Sequence, residues 1–238
     1  MSWTDSQIVN VIKYLRDKYN IKTFVETGTF KGINAELHSK NFKRVITCEK
    51  NHAYYKQAKD RLEWNVYNAY KNVLLVNEDS PEFLKKLTLG TYIFYLDAHF
   101  FDLSLPKGKR KFVVLRELQN MKKFKDSIII IHDFKNNLGG ICYEGINLDF
   151  NLLKKSLNKI NKHFFFYTNT LEGCNPVKMN IEEIKQAGLR IDEDTLSNLE
   201  YMWSAPRLTY RGVLYCLPTE LNKKELKELG LVKWGEIK

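Results

Sequence analysis

The chain has 238 residues, enough for one α/β core and too few for two comfortable ones. No run of eighteen apolar residues occurs, the Met1–Asp5 start lacks the charged-then-apolar pattern of an export signal, and Cys48, Cys142, Cys174 and Cys216 form no C-x-x-C pair, so a soluble cytoplasmic protein without a disulfide frame is expected. Lys+Arg 38 against Asp+Glu 28 gives a net charge of +10, which raises a polyanionic partner as one option and a solvated lysine surface as the other.

Asp5 to Tyr19 places Ile8, Val11, Ile12 and Leu15 at helical spacing, with Thr4 or Asp5 as N-cap, and predicts an N-terminal helix within residues 1–20 that covers the sheet. Phe24-Val25-Glu26-Thr27-Gly28-Thr29-Phe30-Lys31-Gly32 then reads as strand, glycine-spaced turn and helix start. Gly28 permits a tightly turned backbone, and Gly32 lets the next helix sit close to the strand. Arg44 to Glu49 is a β-branched strand ending in a carboxylate about twenty residues beyond the loop, where doubly wound folds place an acid for ribose hydroxyls.

Further strands are predicted at 73–76, ending near Asp79 and Ser80, at 92–97, at 127–133, at 163–168 and at 211–217. Helices fall at about 52–68, 81–88, 111–123 and 147–161. Strand and helix in alternation mean a parallel, doubly wound α/β sheet. About forty residues, 169–210, separate the last two strands; helical patterns at 179–187 and 194–203 suggest a lid or a dimerisation element. No repeat, linker or low-complexity tract divides the chain, so 1–238 is read as a single domain.

The loop departs from the dinucleotide pattern G-x-G-x-x-G, and Gly32-Ile33-Asn34 does not supply the Gly-Lys-Ser/Thr of a phosphate loop. With its ordered strand ends the chain resembles the class I S-adenosylmethionine (SAM) dependent methyltransferases over residues 20–218. Leu96-Asp97-Ala98-His99 and Ile131-His132-Asp133-Phe134 resemble in particular the metal-assisted O-methyltransferases that act on sugars. The resemblance implies a seven-stranded Rossmann-like sheet whose seventh strand runs antiparallel beside the fifth. It also implies a cofactor pocket of Glu26, Thr27, Gly28, Thr29, Gly32, Glu49, Asp79, Ser80 and Asp97.

The same resemblance implies catalysis by Asp97, His99, His132 and Asp133, with Asp97 and Asp133 as ligands to Mg2+ or Mn2+. The family's third ligand follows the acid of strand five, but here that position is Phe134, so His99 or His132 must substitute, and an imidazole tilts the preference toward manganese. Each role has a plainer counterpart. Glu26 can be a carboxylate satisfied inside its loop and Asp79 the N-cap of the next helix, while Phe100, Phe101, Tyr201 and Trp203 can be local packing.

Two function classes follow. One is methyl transfer to a hydroxyl of a small polar acceptor, with sugar or glycan favoured by the resemblance, in a protein free to form a homo-oligomer. The other is a nucleic-acid methyltransferase or SAM-binding RNA partner, suggested by charge and weakened because Asp97-Ala98-His99-Phe100 lacks the N/D-P-P-Y/F tetrad of base amino-methylating enzymes. Lys107-Gly108-Lys109-Arg110-Lys111, following the fourth strand, is expected to favour an acidic acceptor.

Overall fold

The structure is a computed structural model that describes residues 6–63, 70–98, 106, 112–137, 139–170, 189, 193 and 212–235. His99, Phe100, Phe101, the run Lys107–Lys111, Tyr201, Trp203 and nearly all of the 169–210 segment lie outside the described residues.

Helix α1 (Ser6–Lys18) is followed by β1 (Thr23–Thr27), α2 (Ile33–Ser39), β2 (Arg44–Cys48), α3 (His52–Glu63), β3 (Val73–Val76), α4 (Ser80–Lys86), β4 (Tyr92–Leu96), α5 (Val113–Asn120) and β5 (Ile128–Ile131). A short hairpin of β6 (Cys142–Tyr143) and β7 (Ile146–Asn147) comes next, then α6 (Phe150–Ile160), β8 (Phe165–Asn169), β9 (Leu214–Leu217), α7 (Lys223–Leu229) and β10 (Leu231–Lys233). Among the described residues the main sheet has eight strands in the order β10-β8-β9-β5-β4-β1-β2-β3.

Strands β3, β2, β1, β4 and β5 are mutually parallel, as the alternation of strand and helix predicts, and β9 runs antiparallel beside β5, as the resemblance implies, with β8 on its other side. Beyond the expected seven strands, β10 adds an antiparallel edge to β8, pairing Leu231 with Asn169. Its three residues carry too little periodic signal to be read from sequence. The hairpin of β6 and β7 leaves no trace in the sequence either, because two-residue strands offer no alternation to detect.

Side-chain alternation sorts the sheet into two cores. Val25, Phe94, Ile129 and Ile131 face the layer of α4, α5 and α6, while Phe24, Tyr95, Ile128 and Ile130 face Ile8, Val11, Ile12 and Leu15 of α1. All four isoleucines of β5 are fully buried, as expected of a central strand covered on both faces. Burial of side chains of this size contributes about 1.5–3 kcal/mol each, so the two cores hold the strand ends rigidly in place.

Candidate active site

The sheet order reverses at β1, whose neighbours β2 and β4 diverge, and in open α/β sheets ligands sit outside the carboxyl ends of the strands at such a crevice. Thr27 pairs with Leu96, so Gly28 lies beside Asp97. Gly28 has φ +80, and a Cβ there would stand 3.0 Å from the Asp97 carbonyl oxygen and 3.2 Å from Ala98 Cα. The loop therefore lies directly on the end of β4, a packing open only to glycine. Gly32 also has a positive φ, +82, but the close approach it allows is to Ala58 of α3, 3.2 Å from a hypothetical Cβ, and not to β1 as its spacing suggests.

The Gly28 and Thr29 amides both donate to the Cys48 carbonyl, at 3.0 and 3.1 Å, which ties the loop to the end of β2. Below it, Glu26 is buried, with Asn34 Nδ2 donating to one carboxylate oxygen at 2.6 Å and Thr47 Oγ1 to the other at 2.7 Å. Thr47 Oγ1 is also 2.5 Å from Thr29 Oγ1. Burial pushes the Glu26 carboxyl up to about 8 against the pull of those two donors, with Asp97 and Glu49 adding to the rise. Glu26 is thus a strut of the loop, built into its interior.

Glu49 takes a different place. One of its oxygens accepts from the Phe30 amide and the other from the Asn51 amide, each at 2.8 Å, so it spans the rim between the glycine loop and α3 while remaining partly open to solvent. Asp79 stands at the N-cap of α4 but makes no capping bond with its side chain. Its carboxylate instead faces Arg116 Nη2 and Lys50 Nζ, each at 3.5 Å.

At the neighbouring strand ends, β4 and β5 pair Leu96 with Ile131 and so bring Asp97, His132 and Asp133 together. His132 Nδ1 lies 2.9 Å from Asp97 Oδ1 and 3.4 Å from Asp133 Oδ1. One ligand atom from each of the three residues lies within 4.8 Å of the others, a set that suits a divalent cation. Asp133 is fully buried with φ +57, a left-handed backbone uncommon for a residue with a side chain. The Ile141 amide closes the following loop onto the Asp133 carbonyl at 2.9 Å.

Phe134, which carries no ligand atom, is packed into the core, 4.9 Å from the Trp234 ring in an edge contact. A recess of about 260 Å³, counting its open mouth, borders the triad; Asp97, His132 and Asp133 form its polar side and Phe112, Ile141 and Leu148 its apolar side.

Sequence reasoning missed Glu117, a fully buried carboxylate on α5. Neither of its oxygens is met by a donor in hydrogen-bond geometry. The hydroxyls of Ser80 and Thr27 stand near enough to offset part of the penalty, yet burial, with Asp79 and Asp97 nearby, still pushes its carboxyl up to about 7. The signal was present in the chain: Glu117 interrupts the apolar stripe of Val114, Leu118 and Met121. Thr27 itself is buried beneath the crevice and accepts from the Asp97 amide at 3.2 Å.

No family model and no curated protein matches this sequence. Among solved structures, the methyltransferase domain of bacterial CtHen1-CN matches over 90% of this chain and 99% of its own, with a TM-score of 0.50 at 11% identity. The fold is that of the class I methyltransferases. Lower similarity is found to the plantazolicin methyltransferase BamL in complex with a triazolic desmethylPZN analog and SAH, at 11% identity, 92% of this chain, 86% of that one and a TM-score of 0.48. The O-methyltransferase TomG from Streptomyces achromogenes gives 12% identity, 88% and 78% coverage and a TM-score of 0.41. In this methyltransferase fold the glycine loop and the acids that end β1 to β5 occupy the crevice end of the sheet.

Proposed function

We propose that this chain transfers a methyl group from SAM to a hydroxyl of a small polar acceptor, a sugar or glycan hydroxyl being the favoured one. The observation that carries the reading is the meeting of Asp97, His132 and Asp133 at the ends of β4 and β5, directly beside the Gly28 loop. SAM supplies an electrophilic methyl on a sulfonium, and the acceptor oxygen must reach it in line and lose its proton.

In this reading Gly28, Thr29 and Gly32 shape the cofactor seat, Glu49 accepts from ribose hydroxyls, and Asp79 with Ser80 borders the base. Glu26 and Thr27 support that seat from beneath. Asp97, His132 and Asp133 would hold Mg2+ or, given the imidazole, more readily Mn2+, which would lower the pKa of a bound hydroxyl. Asp133 is fixed for this task by its buried, left-handed backbone, and His132 by its position between two carboxylates.

A second reading rests on the 2.9 Å separation of His132 Nδ1 and Asp97 Oδ1. Such a pair orients the imidazole as a general base with no metal. The deciding experiment combines calorimetric titration with S-adenosylhomocysteine and a SAM-dependent product screen against sugars, nucleotide sugars and RNA. It is run on enzyme stripped with EDTA and again after Mn2+ add-back. No binding at millimolar ligand sinks the cofactor assignment; full activity in stripped enzyme removes the metal and leaves the His132–Asp97 pair.

A further inference from the structure

The positive charge of this chain has an address in the fold. In a doubly wound sheet every helix-to-strand loop lies at the amino ends of the parallel strands, the end opposite the cofactor crevice. There, exposed Lys22 precedes β1, Lys43 and Arg44 open β2, Lys71 precedes β3, Lys125 precedes β5 and Lys162 precedes β8. The loops are drawn together by hydrogen bonds: Arg44 N to Lys22 O, Val45 N to Asn72 O, Lys122 Nζ to Leu87 O and Asn161 Nδ2 to Lys125 O. In the loops entering these strands a single acid stands among the described residues, Asp126; the exit loop of antiparallel β9 ends at the same face and adds Glu220, which pairs with Lys233.

Lys43, Lys71, Lys125 and Lys162 form no ion pair with a described residue. From β3 to β8 the row crosses seven strands, six gaps of about 4.8 Å, or roughly 30 Å. That is close to the ~34 Å of one duplex turn.

We propose that this end of the sheet is a docking face for nucleic acid, engaging its phosphate backbone without reading sequence. A long row of unpaired cations matches a polymer that carries one charge per ~3.4 Å of strand. An anionic membrane is the poorer partner, because stable surface binding adds apolar insertion to charge, and among the described residues Leu89 and, one residue into β3, Leu74 are the exposed large apolar side chains at this end. The dipole of helix C-termini favours lysine within a last turn, but these cations lie beyond the helix ends, in the loops. The face is separated from the recess by the length of a five-residue strand, about 17 Å, so docked nucleic acid is a tether and not the methyl acceptor.

The test is fluorescence anisotropy with a labelled 20-nucleotide RNA of mixed sequence, titrated from 50 to 200 mM salt. The rim variant carries Lys43→Glu, Lys71→Glu, Lys125→Glu and Lys162→Glu. A control with the same charge change carries Lys56→Glu, Lys154→Glu, Lys155→Glu and Lys227→Glu, all exposed on helices. The rim variant should bind RNA at least tenfold more weakly, and the slope of log affinity against log salt should fall by about 3, at roughly 0.7 per lost phosphate contact. The control should bind like the parent, and S-adenosylhomocysteine affinity should be equal in all three proteins. Failure of the parent to bind RNA at 50 mM salt overturns the proposal. So do equal losses in both variants, or capture by phosphatidylserine vesicles without RNA binding.

Discussion

His132 Nδ1 stands 2.9 Å from Asp97 Oδ1 although the two residues belong to different strands, because β4 and β5 are paired in register at Leu96 and Ile131. The strand pairing places the two side chains side by side; the residues after the pair only have to carry polar atoms. Asp133, next in the chain, then turns back toward the same point through its positive φ.

That backbone makes Asp133→Asn a cleaner probe than Asp133→Ala, since asparagine tolerates the left-handed region and removes only the charge. Asp133→Asn is expected to weaken Mn2+ binding by more than the roughly 10–100-fold that follows loss of an outer-shell partner, and to depress turnover in proportion, with S-adenosylhomocysteine affinity nearly intact. Mn2+ titration followed by electron paramagnetic resonance, beside calorimetry with the cofactor product, checks both halves. Unchanged metal affinity would move the ligand set elsewhere.

Glu49 accepts two backbone amides and faces the crevice rim. Glu49→Ala should weaken S-adenosylhomocysteine by about 1.5–3 kcal/mol, the scale of lost charge-assisted hydrogen bonds. Glu49→Gln should fall between variant and parent. Calorimetry that finds all three equal would place the ribose contact on another residue.

Glu26 and Glu117 are pushed up by burial to about 8 and about 7 from an ordinary 4.5. The folded chain therefore keeps protons that the unfolded chain has released. The stability this contributes is complete below pH 4.5 and is lost as pH rises through 7 and then 8. Glu117→Gln is neutral at every pH and should flatten the decline, gaining ~3 kcal/mol over the parent at pH 9 relative to pH 4. Thermal melts across that range measure it, and parallel curves for parent and variant would show that Glu117 does not titrate there.

Gly28→Ala should destabilise by about 1–3 kcal/mol through its φ of +80 and the 3.0 Å contact with the Asp97 carbonyl, and should impair cofactor binding as the loop lifts from β4. Gly145→Ala, also at φ +80 but with nothing within 4 Å, carries the backbone strain alone. Denaturant unfolding separates the two; equal losses would mean that the crowding at Gly28 relaxes freely.

The layered α/β sheet is legible in the chain alone, because apolar strands such as Ile128–Ile131 alternate with amphipathic helices and that alternation admits few topologies. The chain also marks Gly28, Glu49, Asp97 and Asp133 as strand-end residues, since chain position relative to a strand is a local property. What these residues face emerges from the packing. Glu26 and Glu49 both end strands in a carboxylate, yet one is sealed between Asn34 and Thr47 and the other spans the open rim. His132 joins two carboxylates while Phe134, two positions on, is turned into the core against Trp234. Facing depends on which segments pack against a position, and those lie far away in the chain, where no local pattern records them.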